Sequence, residues 1–154
     1  LLKEDKVDVK KCVMMALIHD LAEALVGDLT PHCKADKDEK TRRELDAIHF
    51  LTYDLLGDTD ASNTIFQLWF EYEQRQSLES KLVKDLDCFE LCLQAYEYEK
   101  THNIEDLQQF WNGAAPKIQH PQIKRWLTAL LQKRRTLWVG RGVDYDKASV
   151  TVNT

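Results

Sequence analysis

The feature that most constrains this chain is the helical spacing of its apolar residues. They recur at intervals of three and four, which places them along one side of an α-helix. The first such segment is VDVKKCVMMALIHDLAEALV, with the stripe Val13, Met14, Leu17, Ile18, Leu21 and Leu25. Asp8 is placed to cap its first turn and Gly27 to end it. The pattern therefore predicts a core helix from about Asp8 to Gly27.

The same periodicity predicts the remaining helices. They fall at about 38–56, 65–72, 77–99, 107–111 and 121–131, the last opening at His120 and Pro121. No repeat and no glycine-rich strand–loop–helix motif interrupts them, so we expect an all-α fold. Residues 1–139 would form the domain, and the polar tail 140–154 would be a frayed end or a small local strand.

Composition narrows the classes of function. The 154 residues are 44% hydrophobic, enough for one compact domain. The net charge of −5 argues against binding a nucleic-acid polymer, because no overall basic field collects phosphates. No apolar run approaches the roughly 20 residues of a membrane span, so no membrane partner is expected.

The cysteines favour an intracellular protein. The chain has four, Cys12, Cys33, Cys88 and Cys92, and none forms a CxxC pair. Reduced, unpaired thiols are the simplest interpretation, and they are typical of proteins inside the cell.

Charged side chains crowd where the first apolar segment ends. His19, Asp20, Glu23 and Asp28 lie within ten residues, in the stretch HDLAEALVGDLTP. A neutral imidazole with several carboxylates suits a divalent ion. The alternative is that these are ordinary solvated charges on a surface helix.

One helix cannot enclose an ion, so a distant ligand is needed. The candidate is Asp87 in KLVKDLDCFE, a carboxylate in an otherwise apolar stretch, and Asp85 is its rival. Asp87 could instead pair with Lys84 or Lys81, and periodicity alone does not decide between these alternatives.

Several motifs together resemble a known family. HDLAEALVGDLTP, the spaced VKDLD that ends at Asp87, QLWFEYE at 67–73 and QAYEYE at 94–99 closely resemble the HD-domain metal phosphohydrolases, within them the 5'-deoxynucleotidase branch. The resemblance runs from about residue 8 to residue 126. It implies an HD-domain helical bundle that hydrolyses deoxyribonucleoside 5'-monophosphates to nucleoside and phosphate, acting as a homodimer in the cytoplasm or nucleus.

The resemblance also implies roles for individual residues. His19, Asp20 and Asp87 would hold the catalytic ion, which is Mn, Co or Mg, with Zn or Fe also compatible. Glu23 would lie near the nucleophilic water or a second ion, as a proton acceptor or as outer support. Asp28 and the backbone carbonyl of Leu29 would bind that second ion or the sugar hydroxyl. Lys84 would bind phosphate, unless it is a solvated helix charge.

One departure from the family pattern concerns a further histidine ligand. The family has it on an earlier helix, whereas His32, His49, His102 and His120 all lie downstream of His19. We expect a preceding segment outside these residues to supply it. Two alternatives stay open, namely another HD phosphohydrolase, acting on cyclic nucleotides or guanosine polyphosphates, and a non-catalytic module that binds a nucleotide or a partner.

Overall fold

The computed structural model describes residues 6–27, 37–102, 107–142 and 145. The helices are α1 Val9–Ile18, α2 Glu23–Val26, α3 Lys37–His49, α4 Asp60–Gln74, α5 Leu78–His102, α6 Gln108–Ala114 and α7 Pro121–Gly140. A π-helical segment, Phe50–Leu55, continues α3, and a 3₁₀ turn, Ala115–Lys117, follows α6. In these ranges no strand occurs, which confirms the all-α prediction.

Two findings concern the limits of the described chain. Most of the predicted tail, residues 143–144 and 146–154, lies outside the described residues. Within the described ranges, no helix combines the length and the apolarity needed to cross a bilayer. The predicted domain boundary near residue 139 stays a prediction.

The course of the first predicted helix is wrong in its second half. Asp8 does cap α1, because its Oδ1 accepts hydrogen bonds from the backbone N–H groups of Lys10 and Lys11. However, α1 ends at Ile18, and the chain continues through a turn held by i→i−3 bonds, such as Glu23 N–H to Asp20 O at 2.9 Å. Gly27 then ends α2 with φ of 77°, a conformation that suits glycine. His19 and Asp20 therefore lie in a tight turn.

The predicted core stripe of α1 is also wrong. Val13, Met14 and Leu17 are 55%, 46% and 79% exposed, whereas Cys12 and Met15 are buried. The face that packs on α4 is thus the one next to the predicted stripe. Since both faces are apolar, α1 has the composition of a helix covered on two sides.

The chain divides into two compact units, Leu1–Val83 and Lys84–Thr154. In the first unit α1 packs on α4 and α2 packs on α3. The centre of this core consists of Ala22, Ala47, Ile48 and Trp69. Ala22 belongs to the turn after α1, so this packing fixes the position of the neighbouring His19 and Asp20.

In the second unit a buried carboxylate joins three helices. Glu99 of α5 accepts hydrogen bonds from Trp111 of α6 and from Arg134 and Trp138 of α7. We call these four residues the Glu99 network. Glu99 is the last residue of the QAYEYE motif, so this residue of the motif has a packing role in the structure.

Candidate metal centre

The centre of the site is the pair His19 and Asp20. Nε2 of His19 lies 3.0 Å from Oδ2 of Asp20, while Nδ1 lies 2.8 Å from the carbonyl oxygen of Ala16. A carbonyl oxygen only accepts hydrogen bonds, so Nδ1 carries the proton and donates it. In this neutral tautomer Nε2 has a lone pair, and that lone pair faces the carboxylate of Asp20. The arrangement is favourable only when a cation or a second proton lies between Nε2 and the carboxylate.

This geometry fits a divalent ion. A backbone carbonyl that fixes the tautomer through Nδ1 is the usual support of a histidine that binds metal through Nε2. The Asp20 side chain is 59% exposed and that of His19 is 18% exposed, so an ion can approach from solvent. The donors, one nitrogen and one carboxylate, suit Mn, Co, Fe or Zn and also admit Mg.

A buried tyrosine that the sequence did not single out for the site packs against the histidine ring. The ring of Tyr72, on α4, meets the ring of His19 edge to face with 5.0 Å between centroids. Tyr72 is 1% exposed, and it belongs to the QLWFEYE motif. Part of that motif therefore limits the motion of a predicted metal ligand.

The electric field near Asp20 favours a cation. Glu44 on α3 is half-buried, and burial raises the pKa of its carboxyl group. Lys40, at 3.3 Å, opposes this shift, whereas the negative charges of Glu73 and Asp20 add to the rise in pKa. Glu44 thus contributes negative charge beside the turn that carries His19 and Asp20.

The remaining predicted residues of this region are only partly described. Glu23 is half-buried and begins α2, three residues after Asp20. Asp28, Leu29 and His32 lie outside the described residues. Across the described ranges no three histidine, cysteine or acidic side chains gather as a metal cluster, so the role of Glu23 stays a prediction.

In the second unit, Asp85 and Asp87 have different surroundings. Asp85 is 7% exposed, and its Oδ2 accepts the backbone N–H groups of Gln119 and His120, just before α7. Asp87 has a side chain that is 30% exposed and lies 2.8 Å from Nζ of Lys84. Asp85 is thus engaged in holding a loop, which favours Asp87 as the ligand, although Lys84 is its present counter-ion.

Three of the four tryptophans lie in the core, and Tyr72 lies there with them. Trp69, Tyr72, Trp111 and Trp138 are all less than 8% exposed. Trp126 differs, because it is 38% exposed and rests on Phe89 with 5.8 Å between ring centroids.

Comparison with known proteins identifies the family. A family model described as HD domain matches residues 1–126. The chain is 41% identical over 142 residues to 5'-deoxynucleotidase hdd1 of Schizosaccharomyces pombe, covering 90% of this chain and 71% of that protein. It is also 41% identical over 136 residues to human 5'-deoxynucleotidase HDDC2, covering 88% of this chain and 66% of that protein.

A solved structure shares the fold. It is that of HD domain-containing protein YGK1, with a TM-score of 0.64 and 32% identity, and the match covers 86% of this chain and 66% of that one. The chain thus spans about two thirds of the length of several proteins that it matches. Phosphohydrolases with this domain generally depend on a divalent metal ion. The match over residues 1–126 and the identity near 40% establish that the chain belongs to the HD-domain family.

Proposed function

We propose that the protein is a metal-dependent 5'-deoxynucleotidase, which hydrolyses deoxyribonucleoside 5'-monophosphates to deoxyribonucleoside and phosphate. The observation that carries the proposal is the His19–Asp20 pair, whose donor atoms lie 3.0 Å apart in the turn after α1. The names of the relatives, at about 41% identity, supply the substrate class.

His19, Asp20 and Asp87 would hold the ion. Mn, Co and Mg are the preferred ions, with Zn or Fe compatible with the same donors. When bound, such an ion neutralises phosphate charge and lowers the pKa of water from about 15.7 toward about 7.

The protein's own groups then prepare the site. The Ala16 carbonyl keeps Nδ1 of His19 protonated, so that Nε2 is available as a donor to the ion. Glu23, half-buried at the start of α2, is the candidate to accept or relay a proton, or to support the ion through an intervening group. Lys84 pairs with Asp87 in the structure. When the ion binds Asp87, Lys84 would pair with the substrate phosphate instead. Asp28 and the carbonyl of Leu29 would contact a second ion or the sugar.

The exposed outer face of α1 supports a further part of the proposal. Val13, Met14 and Leu17 form an apolar surface that ends two residues before His19. A preceding segment that covers this surface would be well placed to supply the additional histidine ligand.

A homodimer and a location inside the cell are part of the same proposal. Phe70 is 42% exposed and stacks on Phe66, so it offers an apolar contact to a second subunit. The neighbouring Trp69 is buried in the core and cannot contribute to such a contact. Cys12, Cys88 and Cys92 are unpaired thiols, which supports a reducing compartment.

The experiment measures phosphate release from a deoxynucleoside 5'-monophosphate and its ribose counterpart, with Mn, Co or Mg added. Cyclic nucleotides and guanosine polyphosphates are included to test for another HD phosphohydrolase. The protein with any residues encoded before Leu1 is compared with the chain that starts at Leu1. Release from the deoxynucleotide supports the proposal. Turnover of only the other phosphoesters, or metal binding without turnover of any of them, would overturn it.

A further inference from the structure

All charged side chains of helix α7 are positive. Its charged residues are Lys124, Arg125, Lys133, Arg134 and Arg135, and it contains neither aspartate nor glutamate. Arg134 is buried in the Glu99 network. The other four are exposed or, for Lys124, half-buried, and we call them the α7 basic face.

These four cations differ from the basic residues of α3. On α3, Lys40, Arg42 and Arg43 each pair with a carboxylate of the same helix. Where the structure describes the chain, no carboxylate pairs with any residue of the α7 basic face, and Arg125 bonds only to the neutral amide of Gln122. A chain with net charge −5 thus has a local positive field along one helix.

The surroundings of these cations favour one class of partner. The apolar face of α7 is occupied by its own core, since Ile123, Leu127 and Leu130 are buried, so the helix has no face to insert into a lipid surface. Protein interfaces are depleted in lysine, whereas nucleic-acid interfaces are polar and strongly positive. Between and beside these cations the exposed residues are mainly polar, namely Thr128, Gln132 and Thr136, and they include Ala129 and the aromatic Trp126.

We propose that the α7 basic face binds the sugar–phosphate backbone of a nucleic acid strand. Arg125 and Arg135 are ten residues apart, or about 15 Å along the helix, so a flexible single strand that follows the helix can bring a phosphate to each of the four cations. Trp126, next to Arg125 and 38% exposed, offers a ring on which a base stacks. The net charge of −5 argued against such a partner, but a net charge does not show that cations are concentrated on one helix.

The test measures binding of a fluorescent single-stranded oligodeoxynucleotide of 20 nucleotides at several salt concentrations. With four phosphate contacts, log K should fall with log salt at a slope of about −3, so affinity drops by about 50-fold between 50 and 200 mM salt. The variant R125Q/K133Q/R135Q keeps only Lys124 of the face, and its slope should be about −0.7. Circular dichroism checks that the variant keeps its helical content.

The matched control is K40Q/R42Q/R43Q, which removes the same charge from α3. It should bind the oligonucleotide within about twofold of the unchanged protein at 50 mM salt, because these cations are already paired with carboxylates. Equal loss in both triple variants would overturn the proposal, since net charge alone would then explain binding. Binding to phosphatidylserine vesicles but not to the oligonucleotide, or no binding to either, would also overturn it.

Discussion

Glu99 and Arg134 form an ion pair in which both side chains are completely buried, with Oε1 and Nη2 2.8 Å apart. The guanidinium carbon of Arg134 lies 4.4 Å from the ring centroid of Trp111 and 4.8 Å from that of Trp138. Both indole N–H groups donate to Glu99. The carboxylate of Glu99 therefore compensates the buried charge of Arg134 and accepts both indole N–H groups.

Replacing Glu99 with glutamine should lower the free energy of unfolding by about 3–5 kcal/mol, because Arg134 would remain as a buried, uncompensated charge. The matched control is Glu97→Gln, which affects an exposed pair with Lys100 and should cost less than about 1 kcal/mol. Urea unfolding measures both values. A similar small cost for the two variants would show that the Glu99 network does not support the core.

Substitution of Asp85 should affect the stability of the protein, whereas substitution of Asp87 should affect metal binding. Asp85→Asn weakens the carboxylate's hold on two backbone N–H groups before α7, and we expect a loss of about 1–3 kcal/mol in unfolding free energy with metal affinity retained. Asp87→Asn should abolish turnover and weaken metal binding while changing stability by less than about 1 kcal/mol.

Thermal unfolding and equilibrium titration with Mn, made on both variants, check this separation. If Asp85→Asn loses the ion and Asp87→Asn keeps it with full turnover, the assignment of the distant ligand is wrong.

Glu23→Ala tests the proton-transfer role. The ion is held by other ligands in the proposed site, so turnover should fall by about 10²–10⁴-fold while metal affinity stays within a few fold. Steady-state rates and a Mn titration on the same sample give the two values. Loss of the ion itself would make Glu23 a structural support rather than a proton acceptor.

Cys92 should couple stability to alkaline pH. Burial raises the pKa of its thiol to about 12, whereas an unfolded cysteine titrates near pH 8.5. Because the folded-state pKa is the higher one, the stabilising contribution is complete below about pH 8.5 and is lost as pH rises toward about 12.

Urea unfolding between pH 8 and pH 10.5 tests this coupling. The unfolding free energy should fall with pH in this range, and Cys92→Ala should make the slope shallower. An unchanged slope in that variant would show that other groups account for the alkaline dependence.

Local sequence patterns predicted the helices, and they failed where distant residues meet. Apolar spacing is a property of each segment, so α4, α5 and α7 were predictable. The turn at His19 was not predictable from this spacing. A turn with i→i−3 hydrogen bonds and a helix with i→i−4 hydrogen bonds differ by a single residue, so both are compatible with the same spacing of apolar residues. The contact of Tyr72 with His19 and the burial of Glu99 arise from packing between segments far apart in the chain.

Asp8 and Gly27 are features that the local sequence does predict. Each acts on its own neighbours, through a cap on two adjacent N–H groups or through a backbone angle, and both were correctly predicted from residue type alone. The exposure of Leu17, by contrast, depends on what covers α1, and the spacing of apolar residues does not contain that information.

The most direct test of the central claim is Mn-dependent phosphate release from a deoxynucleoside 5'-monophosphate by the unchanged protein and by Asp20→Asn. Asparagine keeps the size of the side chain and removes the negative charge that faces Nε2 of His19 at 3.0 Å. We predict saturable activation by Mn in the unchanged protein and a loss of activity on the order of 100-fold or more in the variant. Equal activity in both would contradict the assignment of the His19–Asp20 turn as the metal centre.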